Sequence, residues 1–396
     1  MKRKSKNKNK GILVIITLLL VIAIIALMAY FSEKNKTSQN TPAPTQTSTP
    51  SPVSTQTPEV TATPEPQTLK TPVPQETQAP GQQLVIRTDY EAFKPNESGD
   101  IPVIMFHRFI EAYEPNTEKD YTTTFAEFET LLDTLYQQGF RLISMQDFID
   151  CNIAVPAGTM PMVFTFDDGT SGQFNLIEED GELKVNPRSA VGIMMAFNEK
   201  HPDFGLKGIF YVNMDIGEST FKGSGSLKER FEVLENLGLE LGTHTWGHVD
   251  YTSITTADRV QESLGKNQQK AEEILPGLQF YSLALPYGSR PKDKSLWPVL
   301  QEGTYEGQAY HHKTIMAVGA EPSVPSISTS YNSLYVRRIR AQGRVSVDAD
   351  LTWWLPKMTS TRMFVSDGDP QTIVVPGNKS EKIDAQKLEG KKLVTY

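Results

Sequence analysis

Cysteine is nearly absent from this 396-residue chain: there is one, Cys151. A single thiol excludes any disulfide within the chain, so a folded part must be held by its apolar core or partly by a metal. Positive charge is scarce as well. The formal net charge is −8, and removing the six Lys/Arg of residues 1–10, "MKRKSKNKNK", leaves −14 for the rest. No Lys/Arg stripe with interleaved aromatics interrupts that acidic remainder, which argues against nucleic acid as a partner. Charge of either sign is missing from residues 11–31, "GILVIITLLLVIAIIALMAYF", a run long enough to span a bilayer. It exceeds the apolar region of a secretory signal peptide and lacks a small-residue cleavage site, so it reads as an uncleaved transmembrane anchor. With the basic tail 1–10 held in the cytoplasm, all that follows lies outside the cell membrane, in a single-pass arrangement. Large apolar side chains are rare across residues 32–82, which are Thr, Pro, Ser and Gln. Such a stretch buries too little surface to offset its ordering entropy and is expected to be a disordered spacer.

What is present begins at about residue 83. Strand-like and helix-like segments alternate: "IPVIMFHRF" (101–109) and "MPMVFTF" (160–166) as buried strands, "TFAEFETLLDTLYQQGF" (124–140) at helical spacing, and "NLIEEDGELKVN" as an inserted hairpin around Asp-Gly. The rhythm continues through "SAVGIMMAFNEK", "KGIFYVN", "LKERFEVLENLG", "LELGTH", "RVQESLGKNQQKAEEIL" and "FYSLALPYG". Repeated strand-helix units imply an α/β fold with a parallel sheet, open or closed into a barrel, with functional groups at the carboxyl ends of strands.

Two stretches stand at such ends. "MVFTFDDGT" (162–170) runs from an apolar strand into Asp167 and Asp168, adjacent carboxylates whose mutual repulsion and partial burial raise the cost of ionising them. "LGTHTWGH" (241–248) holds His244 and His248, two of only six histidines. Two imidazoles at this spacing can face one point, and a carboxylate from another strand end completes a two-histidine, one-carboxylate set for a divalent ion with open positions.

In chain order, "TFDDG", "HTWGH" and "LALPYG" (283–288) resemble the first three motifs of the polysaccharide deacetylases, the family-four carbohydrate esterases. "PVIMFHRF", "LLDTLYQQGFRLISM" and "SLKERFEVLENLGLELGTHTWGH" extend the likeness over most of residues 100–345. The resemblance implies a distorted (β/α)7 barrel over residues 83–350, with residues 351–396 as a β extension packed on it. It implies a divalent metal, zinc with cobalt or nickel as alternatives, held by Asp168, His244 and His248. Asp167 would be the general base, with the cation relieving the charge conflict, and the backbone N–H of Tyr287 would stabilise the oxyanion. Gly169 would let the backbone leave the strand sharply. The implied activity is removal of acetyl groups from an N-acetylated glycan, peptidoglycan or a related surface polymer. The alternatives are a catalytically weak or silent glycan binder and an O-acetyl esterase.

Two departures from the family pattern stand out. Ala284 occupies the place of the motif-three arginine that orients the base. No histidine follows His312, so the late general acid is missing, and His107, His311 and His312 are the candidate substitutes. "DADLTWWLP" places Trp353 and Trp354 loosely where a fourth motif would wall the site.

Overall fold

The computed structural model describes residues 84–341 and 347–396. The tail 1–10, the expected anchor 11–31 and the spacer 32–82 lie outside the described residues. Among the described residues no helix is long and apolar enough to cross a membrane.

Eight strands form one sheet: β1 (Val103–Phe106), β2 (Phe140–Leu142), β3 (Met160–Asp167), β4 (Ile209–Val212), β5 (Glu240–Thr243), β6 (Ser282–Ala284), β7 (Thr314–Met316) and β8 (Ile339–Arg340). Its main path runs β7-β6-β5-β4-β3-β1-β8, with β2 paired to the start of β3, and every pairing is parallel. This is the curled parallel sheet of a (β/α) barrel. The helices between strands carry their own start signals. Thr124, Ser144 and Ser226 each form a reciprocal capping box with Glu127, Asp147 and Glu229, opening helices Phe125–Gln137, Met145–Asp150 and Leu227–Asn236.

Strand parity decides which side chains face where. On β3, Met162, Phe164 and Phe166 point to the helices and join a cluster with Phe106, Phe128, Phe210 and Leu132. Val163, Thr165 and Asp167 therefore share the other face, inside the curl. Val163 packs low in that interior with Val103, Ile209 and Ala284. Thr165 and Asp167 lie above it, toward the carboxyl ends.

The edges of the sheet approach each other through one segment. Val336 bridges Met316 at the end of β7, and from three residues later Ile339 and Arg340 pair with Ile104 and Met105 of β1. Ala317 N donates to Val336 O at 2.8 Å, and Ala341 N donates to Met105 O at 2.9 Å. Residues 336–341 thus form a seam between the two sides.

Several elements differ in detail from expectation. The strand read over 101–109 stops at Phe106, and Arg108–Ile110 leaves the sheet to pair with Thr122–Thr124. This break leaves His107 at the lip of the curl. The expected Asp-Gly hairpin forms between Leu176–Glu179 and Glu182–Val185, with Asp180 at φ 56° and Gly181 at φ 80°, as a tight two-residue turn requires. A second hairpin, Glu302–Tyr305 with Gln308–His311, turns in the same way at Glu306 and Gly307, within "YEGQ". In the C-terminal stretch, Thr372–Val375 and Lys392–Thr395 pair in parallel. Ile373, Val375 and Ile383 pack into the cluster that holds Val103 and Val163.

Candidate active site

The carboxyl ends of β1, β3, β5 and β6 surround a cleft of about 450 Å³ lined by His107, Asp167, Asp168, His244, His248 and Tyr287, among others. Asp167 is the last residue of β3 and faces inward by parity, its side chain 2% exposed. Asp168 follows at φ 82°, and Gly169 at φ 62°. The left-handed turn sends the two carboxylates in different directions instead of side by side. A Cβ on Gly169 would lie 3.0 Å from Thr220 Cγ2 and 3.3 Å from Val212 Cγ1, so glycine is needed there for both conformation and space. Thr245 (φ 70°), His248 (φ 47°) and Tyr287 (φ 58°) are also left-handed. Non-glycine residues in that region cost about 1–3 kcal/mol each, so four of them at one site mark a place where geometry outweighs stability.

Asp168 Oδ1 lies 3.4 Å from His244 Nε2 and 3.5 Å from His248 Nε2. One ligand atom from each of the three falls within 4.8 Å of the others. His244 is anchored from behind: its Nδ1 lies 2.8 Å from Ala284 O, and Nδ1–H donating to that carbonyl leaves the Nε2 lone pair aimed at Asp168. That Nε2 is buried without an aligned hydrogen-bond partner. An orphaned buried imidazole nitrogen facing a carboxylate and a second imidazole is what a bound divalent ion would satisfy, and the residues fit one.

Behind this triad sits Arg338, wholly buried. Its Nη1 donates to Asp167 Oδ1 at 2.7 Å and its Nη2 to Asp167 Oδ2 at 2.8 Å. Burial by itself would raise the Asp167 pKa, but Arg338 above all, then His244 and His107, outweigh it and hold the carboxyl below its usual range. Burial acts on Asp168 in the same sense, and His244, followed by His107 and His248, pulls it well down. Burial would lower His244, yet Asp167 and Asp168 raise it. No sequence motif marks Arg338. The available signal was the run "YVRRIRA", where an arginine stands two residues from the buried Val336 and beside the buried Ile339.

The three candidate histidines separate cleanly. His107 Nε2 lies 3.8 Å from Asp167 Oδ2 at the cleft, and burial, against the pull of Asp167 and Asp168, lowers its pKa to about 4. His311 is exposed on the second hairpin, 4.0 Å from Glu302. His312 is buried elsewhere, its Nδ1 2.7 Å from Leu300 O and its ring stacked on Tyr310. Only His107 joins the cleft. Tyr287 lines the cleft with its ring packed edge-on against His248 at 4.7 Å. Trp353 and Trp354 do not line it: Trp354 is buried and donates Nε1–H to Ala320 O at 2.8 Å, while Trp353 lies under Lys357.

Residues 155–306 match the family model described as polysaccharide deacetylase. No curated protein matches the chain. Among solved structures, the chain is similar to a polysaccharide deacetylase from Bacillus cereus, at 19% identity over 63% of this chain and 66% of that one, with a TM-score of 0.46. It is similar to a Streptococcus pyogenes deacetylase in complex with acetate, at 15% identity over 62% of this chain and 94% of that one, with a TM-score of 0.46. It is also similar to IcaB from Ammonifex degensii, at 19% identity over 63% and 95%, with a TM-score of 0.45. The chain thus spans just under two thirds of the length of the Bacillus protein. Asp167, Asp168, His244 and His248 all fall inside residues 155–306, the segment that matches the polysaccharide deacetylase family model.

Proposed function

We propose that this protein is a membrane-anchored, extracellular, metal-dependent deacetylase that removes acetyl groups from an N-acetylated glycan, peptidoglycan or a related surface polymer. The observation that carries the reading is the convergence of Asp168, His244 and His248 on one point beside an independently held carboxylate, Asp167. The anchor and spacer rest on the sequence of residues 11–31 and 32–82.

Asp168, His244 and His248 would hold the ion, and the two-imidazole, one-carboxylate set suits zinc, cobalt or nickel. Bound there, a divalent ion supplies Lewis-acid polarisation of an acetyl carbonyl and makes water more acidic. The protein's own groups do the rest. Asp167 is held ionised and accepts the proton of the attacking water. His107, across from Asp167 Oδ2, is placed to pass a proton to the departing nitrogen. The backbone N–H of Tyr287 would stabilise the developing oxyanion, as the resemblance implies, and its side chain, 70% exposed, lines the cleft.

The test is acetate release from N-acetylglucosamine oligomers and peptidoglycan by the purified protein, after chelation and after zinc is restored. Zinc-dependent release supports the reading; no release from any N-acetylated glycan overturns it. Cleavage of O-acetyl esters is a second reading, and the lowered pKa of His107 favours it. A histidine neutral at neutral pH helps an amine leave poorly, whereas an alkoxide needs less help.

A further inference from the structure

Ala284 stands where the family resemblance places a base-orienting arginine, and its methyl group cannot reach any carboxylate. The ion pair on Asp167 instead comes from the seam, residues 336–341, outside the segment 155–306. Arg338 is fixed at three corners. Both terminal nitrogens take the two Asp167 oxygens; Nη1 also reaches Thr165 Oγ1 at 3.2 Å, and Nε donates to Ala317 O at 3.1 Å. The Tyr211 ring lies beneath, 5.8 Å from the guanidinium carbon. With Thr165 on β3 and Ala317 just past β7, the guanidinium plane is set by two strands at once and has no room to swing.

A planar fork on both oxygens fixes the rotation of the carboxylate about its Cβ–Cγ bond, which a single donor cannot do. Each carboxylate oxygen keeps a second lone pair. On Oδ2 that pair lies on the side of His107, the group proposed to pass a proton to the departing nitrogen. We propose that Arg338 is the positioning residue of the base, holding Asp167 in the one rotation that presents Oδ2 to the cleft, in place of the arginine absent at position 284. The inference rests on the deacetylase reading for its kinetic consequence and on the pair itself for its structural one.

The competing explanation is a barrel pin with no bearing on chemistry, and the experiment separates the two. Arg338→Lys keeps the charge and loses the fork; Arg338→Ala loses both. Both variants should lower kcat for acetate release by about a hundredfold, since a misplacement of about 1 Å suffices for that. KM and zinc stoichiometry should stay within about threefold of the parent. In the Asp167→Asn background, Arg338→Lys should cost less than about threefold further, because the residue acts through Asp167. Either Arg338 variant retaining kcat within about threefold overturns the proposal, as does a loss that lies wholly in KM or zinc, or one that persists in full in the Asp167→Asn background. A second measurement is independent of turnover. In metal-free protein, the melting-temperature losses of Asp167→Asn and Arg338→Lys should be clearly sub-additive in the double variant. Additive losses overturn the pairing. If the parent protein releases no acetate, the functional reading fails while this melting cycle still decides the pair.

Discussion

Asp167→Asn is the sharpest perturbation, because Asp167 has a buried partner, Arg338, and stands beside Asp168, His244 and His248 without being one of that set. The substitution preserves shape and removes a charge. Asn keeps one acceptor oxygen for Arg338, so one of the two bonds at 2.7 and 2.8 Å survives, while the buried guanidinium loses its counter-charge. Breaking a buried pair from one side costs about 3–5 kcal/mol, and the retained bond puts the loss at the lower end of that range. A domain of this size shifts by about 2–4 °C per kcal/mol, so the melting temperature should fall by roughly 6–12 °C. Turnover should fall by about two to four orders of magnitude, the range for loss of a general base. Zinc stoichiometry and glycan affinity should be unchanged, since Asp168, His244 and His248 keep their positions. The assay measures acetate release, bound zinc and thermal melting on one preparation. Turnover within about threefold of the parent would refute the role of base. Loss of zinc would show that the two aspartates are assigned the wrong way round.

His244→Ala should abolish stoichiometric uptake of zinc, cobalt or nickel by apo-protein, read by titration; unchanged uptake refutes the triad. His107→Ala should slow amide cleavage by about ten- to a hundredfold and ester cleavage far less, while His311→Ala changes neither; acetate release from an N-acetylglucosamine oligomer and an O-acetyl ester makes the comparison. His312 gives a pH prediction. Burial lowers its pKa to about 4 from 6.5, so below pH 6.5 the unfolded chain binds a proton that the folded one refuses. Its contribution is complete above pH 6.5 and is lost as pH falls to about 4. In metal-free protein, His312→Asn, whose amide can still donate to Leu300 O, should flatten the stability profile in that window by one proton; an unchanged slope refutes the assignment.

The legible part of this protein was the part written in local pattern. Alternation along "MVFTFDD" places Thr165 and Asp167 on one face, and the helix starts at Thr124 and Ser226 are visible as T-x-x-E and S-x-x-E. His244 and His248 could be paired with Asp168 because strand-end residues of parallel sheets gather on one side. Arg338 could not be read in the same way. Its role depends on the seam, a pairing between residues far apart in the chain, and no spacing encodes that two edges of a sheet meet. Sequence likewise could not separate His107 from His311 and His312, since all three lie near strand ends and only burial and closure sort them. The tryptophan pair, only a loose match to a motif, shows the complementary limit: such a match says nothing about which wall the ring reaches, and Trp354 spends its N–H on Ala320 O.

The seam also orders events in time. Ile104 must wait for Ile339, about 235 residues later, before that edge of the sheet is paired. Closing so long a loop is slow, because its entropy is lost before any contact compensates. Until it closes, the Asp167 carboxylate has no guanidinium and the curled sheet remains open to water on that side. A chain emerging from the ribosome therefore carries Asp168, His244 and His248 well before Asp167 gains Arg338 as its partner. The Asp167–Arg338 pair forms only once the segment leading into β8 is in place.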